Sequence, residues 1–168
     1  MATVAVTASF SSRLSTPDGD TCEITDKELV LDSVMQSIKH DGAGALVLFV
    51  GTTRDTFDGK DVVRLEYEAH TNLALRTICK IMQNIRKGHG SLIRLTCYHR
   101  IGNVPVGQPS IIVAASAPHR RASFNACEDL LEQVKEKAQI WKREWYVGEH
   151  EDEAQWKENA NVSGEWGA

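Results

Sequence analysis

The residues best suited to chemistry in this sequence are cations. His119, Arg120 and Arg121 follow Pro118 at the start of a segment with helical apolar spacing. A helix N-terminus is the positive end of the macrodipole, and each cation placed there costs about 0.3–1 kcal/mol. Stability alone would put Asp or Glu at these positions. Cations beside unpaired N–H groups make a site for a phosphate or carboxylate; the alternative is that the side chains bend away to solvent or to acidic neighbours. A second cluster, Lys135, Lys137, Lys142 and Arg143, surrounds the end of the same segment. Lys135 and Lys137 suit a helix C-terminus without any further role. Lys142 and Arg143 lie beyond it, beside Trp141 and Trp145. A lysine held against aromatic surface loses hydration, and its pKa falls toward the range that serves acid–base work. Arg54 stands just past an apolar run, at the kind of loop position where sites gather.

Other chemistries lack their residues. The sequence has no phosphate-binding P-loop, no GxSxG elbow, no HExxH and no dinucleotide fingerprint. Its cysteines, Cys22, Cys79, Cys97 and Cys127, show neither a CxxC pair nor metal-ligand spacing, so reduced thiols in a cytosolic protein are expected and no metal site. Cys97 and His99 share one face of a strand, but that face is apolar and both read as core residues. The net charge of −4 gives no general attraction to nucleic acid or to an anionic membrane. Any anion must therefore be held by a local cluster of positive charge. The longest apolar stretch, Ala43 to Val50, is too short to span a bilayer.

The elements that would position these cations are legible in outline. Thr25 and Glu28 read as a capping box opening a helix that runs to about Lys39. Ala45 to Val50 is a continuous apolar run, as in a strand covered on both faces. A polar loop closed by Asp58 and Gly59 follows. Val63, Leu65 and Tyr67 then alternate with polar residues as in a half-buried strand. Leu75, Ile78, Met82 and Ile85 mark a helix stopped by Gly88. Ile93 to Ile101 is a strand, Gly102 to Gly107 a connection, and Ser110 to Ala115 a second buried strand. The helix after Pro118 carries Phe124, Cys127, Leu131 and Val134 on its apolar stripe, and Trp141 to Val147 is a last strand. With 168 residues the chain suits one domain, predicted over 22–147 between a flexible tail, 1–21, and a polar tail, 148–168. The class is α+β, a mixed and mainly antiparallel sheet packed with two long helices.

Five segments carry a family resemblance: 49–55 (FVGTTRD), 65–68 (LEYE), 98–102 (YHRIG), 117–120 (APHR) and 140–144 (IWKRE). In order and spacing they resemble the large subunits of molybdopterin synthase, over about residues 22–147. The resemblance implies an α/β hammerhead-type core and a homodimer. Each copy would bind a small ubiquitin-like subunit, giving a heterotetramer. The implied reaction converts cyclic pyranopterin monophosphate to molybdopterin, with sulfur arriving as a thiocarboxylate on the small subunit's C-terminal glycine, and with no metal or organic cofactor. By motif, Lys135 and Lys142 match the family's active-site lysines. His119 and Arg120 match its substrate-binding pair, Thr52, Thr53 and Arg54 its substrate-contacting loop, and Arg143 and Glu144 the residues after the second lysine; these two and both lysines are implied to bind substrate as well. Gln139 stands where the family usually has proline, and is expected to loosen the link between Lys135 and Lys142. A non-catalytic adaptor for a ubiquitin-like tail, or a phosphate-binding module, is the competing class; the second basic cluster favours catalysis.

Overall fold

The computed structural model describes residues 9–148 and 154–159. Strand β8 (Pro109–Ala117) shows how the fold is organised, because every residue in it from Ser110 onward is buried. Ile111, Val113, Ala115 and Ala117 enter one apolar cluster, while Ile112 and Ala114 enter another. A strand covered on both faces has no polar side to show, which is why its sequence does not alternate. On either edge of β8 lie β6 (Arg94–Arg100) and β3 (Ala45–Thr52), both antiparallel to it. β2 (Thr21–Thr25) pairs in parallel with β6, and β1 (Ser11–Ser15) pairs antiparallel with β2. The first sheet therefore runs β1-β2-β6-β8-β3. The long helices α2 (Thr71–Gly88) and α3 (Arg120–Lys137) bury Ile78, Met82, Leu130 and Val134 in its first cluster. Val34 and Ile38 of α1 (Leu31–Ile38) fill the second.

A second sheet joins β4 (Thr56–Phe57), β5 (Lys60–Ala69), β9 (Ile140–Tyr146) and β10 (Lys157–Glu158), with β7 (Gly102–Pro105) also on β5. Its Tyr67, Val104 and Ile140 join the core under α2 and α3. Among the described residues β2–β6 is the parallel pair and every other pairing is antiparallel. The α+β class, mainly antiparallel with two long helices, is thus the observed one, with the strands divided between two sheets. No helix among these residues is long and apolar enough to cross a membrane.

Several local expectations are corrected. Thr25 ends β2 and does not cap a helix: its hydroxyl donates to the Phe10 carbonyl and accepts from Lys27 N, and α1 starts only at Leu31. Within the segment expected as a flexible tail, Ser11–Ser15 form β1, and Asp20 is fully buried against the Arg86 guanidinium. Residues 1–8 of that tail lie outside the described part. The connection from Gly102 contains β7, hidden because Gly102 and Pro105 break the apolar alternation. Phe124 is 59% exposed, and Ser123 takes the buried position, its hydroxyl donating to the Ala45 carbonyl. β3 is the edge strand of its sheet, and Leu46 and Phe49 keep 37% exposure each despite the apolar run.

Candidate active site

Strand alternation on β9 decides which cations meet. Successive side chains leave opposite faces of a strand, so Lys142, Glu144 and Tyr146 share one face while Trp141, Arg143 and Trp145 share the other. Glu144 is 4% exposed. Its carboxylate accepts from Lys157 Nζ at 2.8 Å and faces Lys142 Nζ at 3.4 Å. Burial alone would raise this carboxyl, but the Lys157 hydrogen bond and the charges of Lys142 and Lys157 hold it below its ordinary value. Lys135, half-buried in the last turn of α3, has its ammonium pushed down chiefly by burial, against the pull of Glu132, with a smaller downward push from the positive charge of Lys142. The two lysines, from different elements, thus act on one another.

The hairpin between β4 and β5 completes this face. Asp58 (φ 50°) and Gly59 (φ 75°) both have positive φ, the two-residue turn that matches strand twist. The turn sets Phe57 opposite Lys60. Around the Phe57 ring stand Arg54 at 5.6 Å, Lys157 at 5.8 Å and Lys142 at 6.0 Å from the centroid. An aromatic face attracts cations without neutralising them, so it gathers positive charge that stays available to an anion. Beside it lies a cavity of about 520 Å³ lined by Asp58, Lys60, Glu144, Tyr146, Ala154, Gln155 and Lys157.

Other residues named from the sequence fall elsewhere. Thr52 ends β3 and is exposed, but Thr53 is buried, its hydroxyl donating to the Val104 carbonyl. Arg143 turns to the far face of β9, where Nε donates to Glu66 and the guanidinium stacks between Trp145 (4.8 Å) and Trp156 (4.7 Å). His119 caps α3 with no side-chain cap bond, no acid lies in the first turn, and His119, Arg120 and Arg121 are exposed. At about 1.5 Å per residue, Arg120 lies roughly 22 Å along α3 from Lys135. One chain therefore does not bring the His119–Arg120 pair to the lysines. Close backbone approach fixes that helix start, since a Cβ at Gly44 would collide with the Pro118 carbonyl.

Gln139 does not leave the lysine segment loose. Its side chain accepts from Thr77 Oγ1 at 2.9 Å and donates to the Lys137 carbonyl at 2.9 Å, tying the end of α3 to α2. Cys97 and His99 are core residues, as expected. His99 Nδ1 is 2.8 Å from the Arg100 carbonyl and so carries the proton. Burial brings His99 down to about 4 and raises the Cys97 thiol to about 12. Neither is charged at neutral pH, which removes the nucleophile–base reading. Sequence reasoning missed Phe57, Tyr146 and Lys157. The only signal was a lone aromatic in a polar loop for the first, and a tryptophan before a lysine in a polar tail for the last. Among the described residues no cluster of His, Cys, Asp and Glu could hold a metal.

Comparison with known proteins identifies the family. The model of the MoaE protein family matches residues 24–137. A protein of Aedes aegypti named molybdopterin synthase catalytic subunit 2 is 39% identical over 141 residues, 84% of this chain and 90% of its own. The crystal structure of molybdopterin synthase from Staphylococcus aureus superposes with a TM-score of 0.74 at 25% identity, covering 84% of this chain and 98% of that one. A complex of subunits 1 and 2 of molybdopterin-converting factor from Helicobacter pylori shares the fold, with a TM-score of 0.59 at 22% identity over 71% of this chain and 77% of that one. The family match spans most of the core and the relative covers most of both chains: this chain belongs to the MoaE family and is an enzyme of molybdenum-cofactor biosynthesis, a molybdopterin synthase catalytic subunit.

Proposed function

We propose that this chain transfers sulfur from the C-terminal thiocarboxylate of a small ubiquitin-like subunit to cyclic pyranopterin monophosphate, in the cytosol, to build molybdopterin. The observation that carries this reading is the gathering of Arg54, Lys142 and Lys157 around the Phe57 ring, with Lys135 of a separate element near enough to feel the charge of Lys142. The protein is acidic overall, so this is a local concentration of positive charge with one buried carboxylate inside it. Two anions must meet here, a thiocarboxylate and a cyclic phosphate, and cations offset their mutual repulsion. In the transfer, the thiocarboxylate sulfur attacks an oxygen-bearing carbon of the pterin side chain and forms the C–S bond as that carbon's C–O bond breaks, the departing oxygen taking up a proton. Water then cleaves the acyl–sulfur bond and the partner's tail leaves as a carboxylate. In this reading Lys142 and Lys135 stabilise the oxyanion of that hydrolysis, and Lys135, already shifted down by burial, moves a proton.

The roughly 22 Å along α3 between Arg120 and Lys135 supports a homodimer, in which a second copy brings its α3 start to this site. Leu46 and Phe49, exposed on an edge strand with the sequence of a covered one, support the same contact. The two-subunit complex from Helicobacter pylori supports a small partner as well, giving a heterotetramer. The test is direct: mix the protein with thiocarboxylated partner and the pterin precursor, and assay the dithiolene product. Lys142→Ala should lower turnover a hundredfold or more, about 3–4 kcal/mol of transition-state stabilisation, while the fold is kept. Wild-type turnover in a folded Lys142→Ala protein would remove the catalytic reading.

A further inference from the structure

We infer that Lys157, delivered by the C-terminal strand β10, is a positioning residue of the active site that holds Glu144 and thereby leaves the Lys142 ammonium available to anionic substrate. The inference rests on the functional reading above and adds a third lysine to it. In the β9–β10 ladder Lys157 stands directly opposite Lys142. Like charges at such positions repel, so pairing stability alone disfavours this register. What relieves the repulsion is Glu144, two residues along β9 on the same face and almost fully buried. Its two oxygens are divided between the lysines: Oε2 receives Lys157 at 2.8 Å, and Oε1 stands 3.4 Å from Lys142. The shorter contact belongs to the lysine from the tail. A buried carboxylate must have a partner, and if Lys157 were absent Glu144 would take Lys142 as that partner.

The opposite face of the same strands holds β10 in place. Trp156, the residue before Lys157, stacks on Arg143, and Arg143 stacks also on Trp145, which carries Arg64 at 4.1 Å on its ring. Glu66 fixes this ladder by accepting from Arg143 Nε and Trp145 Nε1, both at 2.8 Å. Such alternating cation and aromatic layers are individually weak but geometrically specific. Arg143, which family resemblance pairs with the substrate, here fixes the strand that supplies Lys157.

The test compares Lys157→Gln, Lys157→Arg and Trp156→Ala with wild type in the dithiolene assay across pH, each folded by circular dichroism. Removing the Lys157 cation lets Lys142 close on Glu144 and takes one positive charge away from the lysine face. Lys157→Gln should therefore slow turnover about tenfold and move the alkaline limb of the pH–rate profile to higher pH. Trp156→Ala should do the same by releasing β10, and Lys157→Arg should restore rate and limb. A Lys157→Gln enzyme with wild-type rate and profile refutes the inference, and so does one that is slow with an unmoved limb, which would mark a structural role alone. Loss of turnover in Lys142→Ala with none in Lys157→Gln refutes this inference and leaves the functional reading standing. A wild-type protein that forms no dithiolene refutes both.

Discussion

Asp20→Ala gives the sharpest test of how the N-terminal part of this chain contributes to the fold. Asp20 is fully buried, and its carboxylate accepts four bonds: Arg86 Nε at 2.7 Å, the other Arg86 nitrogen at 2.6 Å, Leu95 N at 2.9 Å and Thr16 Oγ1 at 3.2 Å. It ties the lead-in of β2 to α2 and β6 together. Removing one member of a buried ion pair costs about 3–5 kcal/mol, because the other charge is left without compensation. Two features place this case at the low end. The Arg86 side chain keeps 18% exposure, so water can reach it, and Asp18 lies 4.0 Å from its Nε as a substitute partner. Leaving Leu95 N unpaired adds about 1–3 kcal/mol. The expected loss is therefore about 4 kcal/mol, or roughly 8–16 °C in melting temperature for a chain of this size. Asp20→Asn retains an oxygen for Leu95 N and should lose about half as much. Urea unfolding followed by circular dichroism, at one protein concentration to hold any dimerisation constant, measures both. A loss below about 0.5 kcal/mol for Asp20→Ala, the size of an ordinary surface change, would mean that the segment through Asp20 frays in solution and that the buried pair does not contribute.

Two further outcomes follow from the site and its surroundings. His99 has its folded-state pKa lowered to about 4 by burial, below the ordinary 6.5, so its neutral form is the native one. Its contribution to stability is complete above 6.5 and is lost as pH falls through 4, at about 1.4 kcal/mol per unit; His99→Gln should flatten that part of a stability–pH curve, and an unchanged slope would refute the assignment. Arg120→Ala should weaken binding of the pterin phosphate about ten- to a hundredfold while sparing the small partner, as titration calorimetry with each ligand would show; equal loss for both ligands would point to damage of the fold.

The elements that the sequence made legible are those whose pattern is local. The helical stripe of Leu75, Ile78, Met82 and Ile85 and the unbroken apolar run of β8 each follow from the surfaces that a single element must bury. Those that escaped depend on partners distant in sequence. β1 and the parallel β2–β6 pairing use five-residue strands whose neighbours lie up to 75 residues away, and nothing local distinguishes Thr25 at a strand end from Thr25 at a helix cap. The cations show the same division. Lys135 and Lys142 could be picked out because helix end, tryptophan and strand lie consecutively. Arg143 could not be placed on the wrong side of β9 until the register with β5 was known, and Lys157 had no meaning until β10 paired with β9.

The distribution of these groups also gives a physical reason for the division that the proposed dimer implies. A single compact domain that gathered Lys135, Lys142, Arg54, His119 and Arg120 around an empty pocket would concentrate uncompensated positive charge in a low-dielectric setting, at a cost that rises steeply as water is excluded. Here the lysine face carries its own buried carboxylate in Glu144, and the arginine pair sits exposed at the far end of α3, where water screens it. Each half is tolerable alone. In the proposed dimer their combination becomes favourable when the second copy joins them and anionic substrate enters between, so the binding free energy of the phosphate would be realised in the assembly and not in the isolated chain.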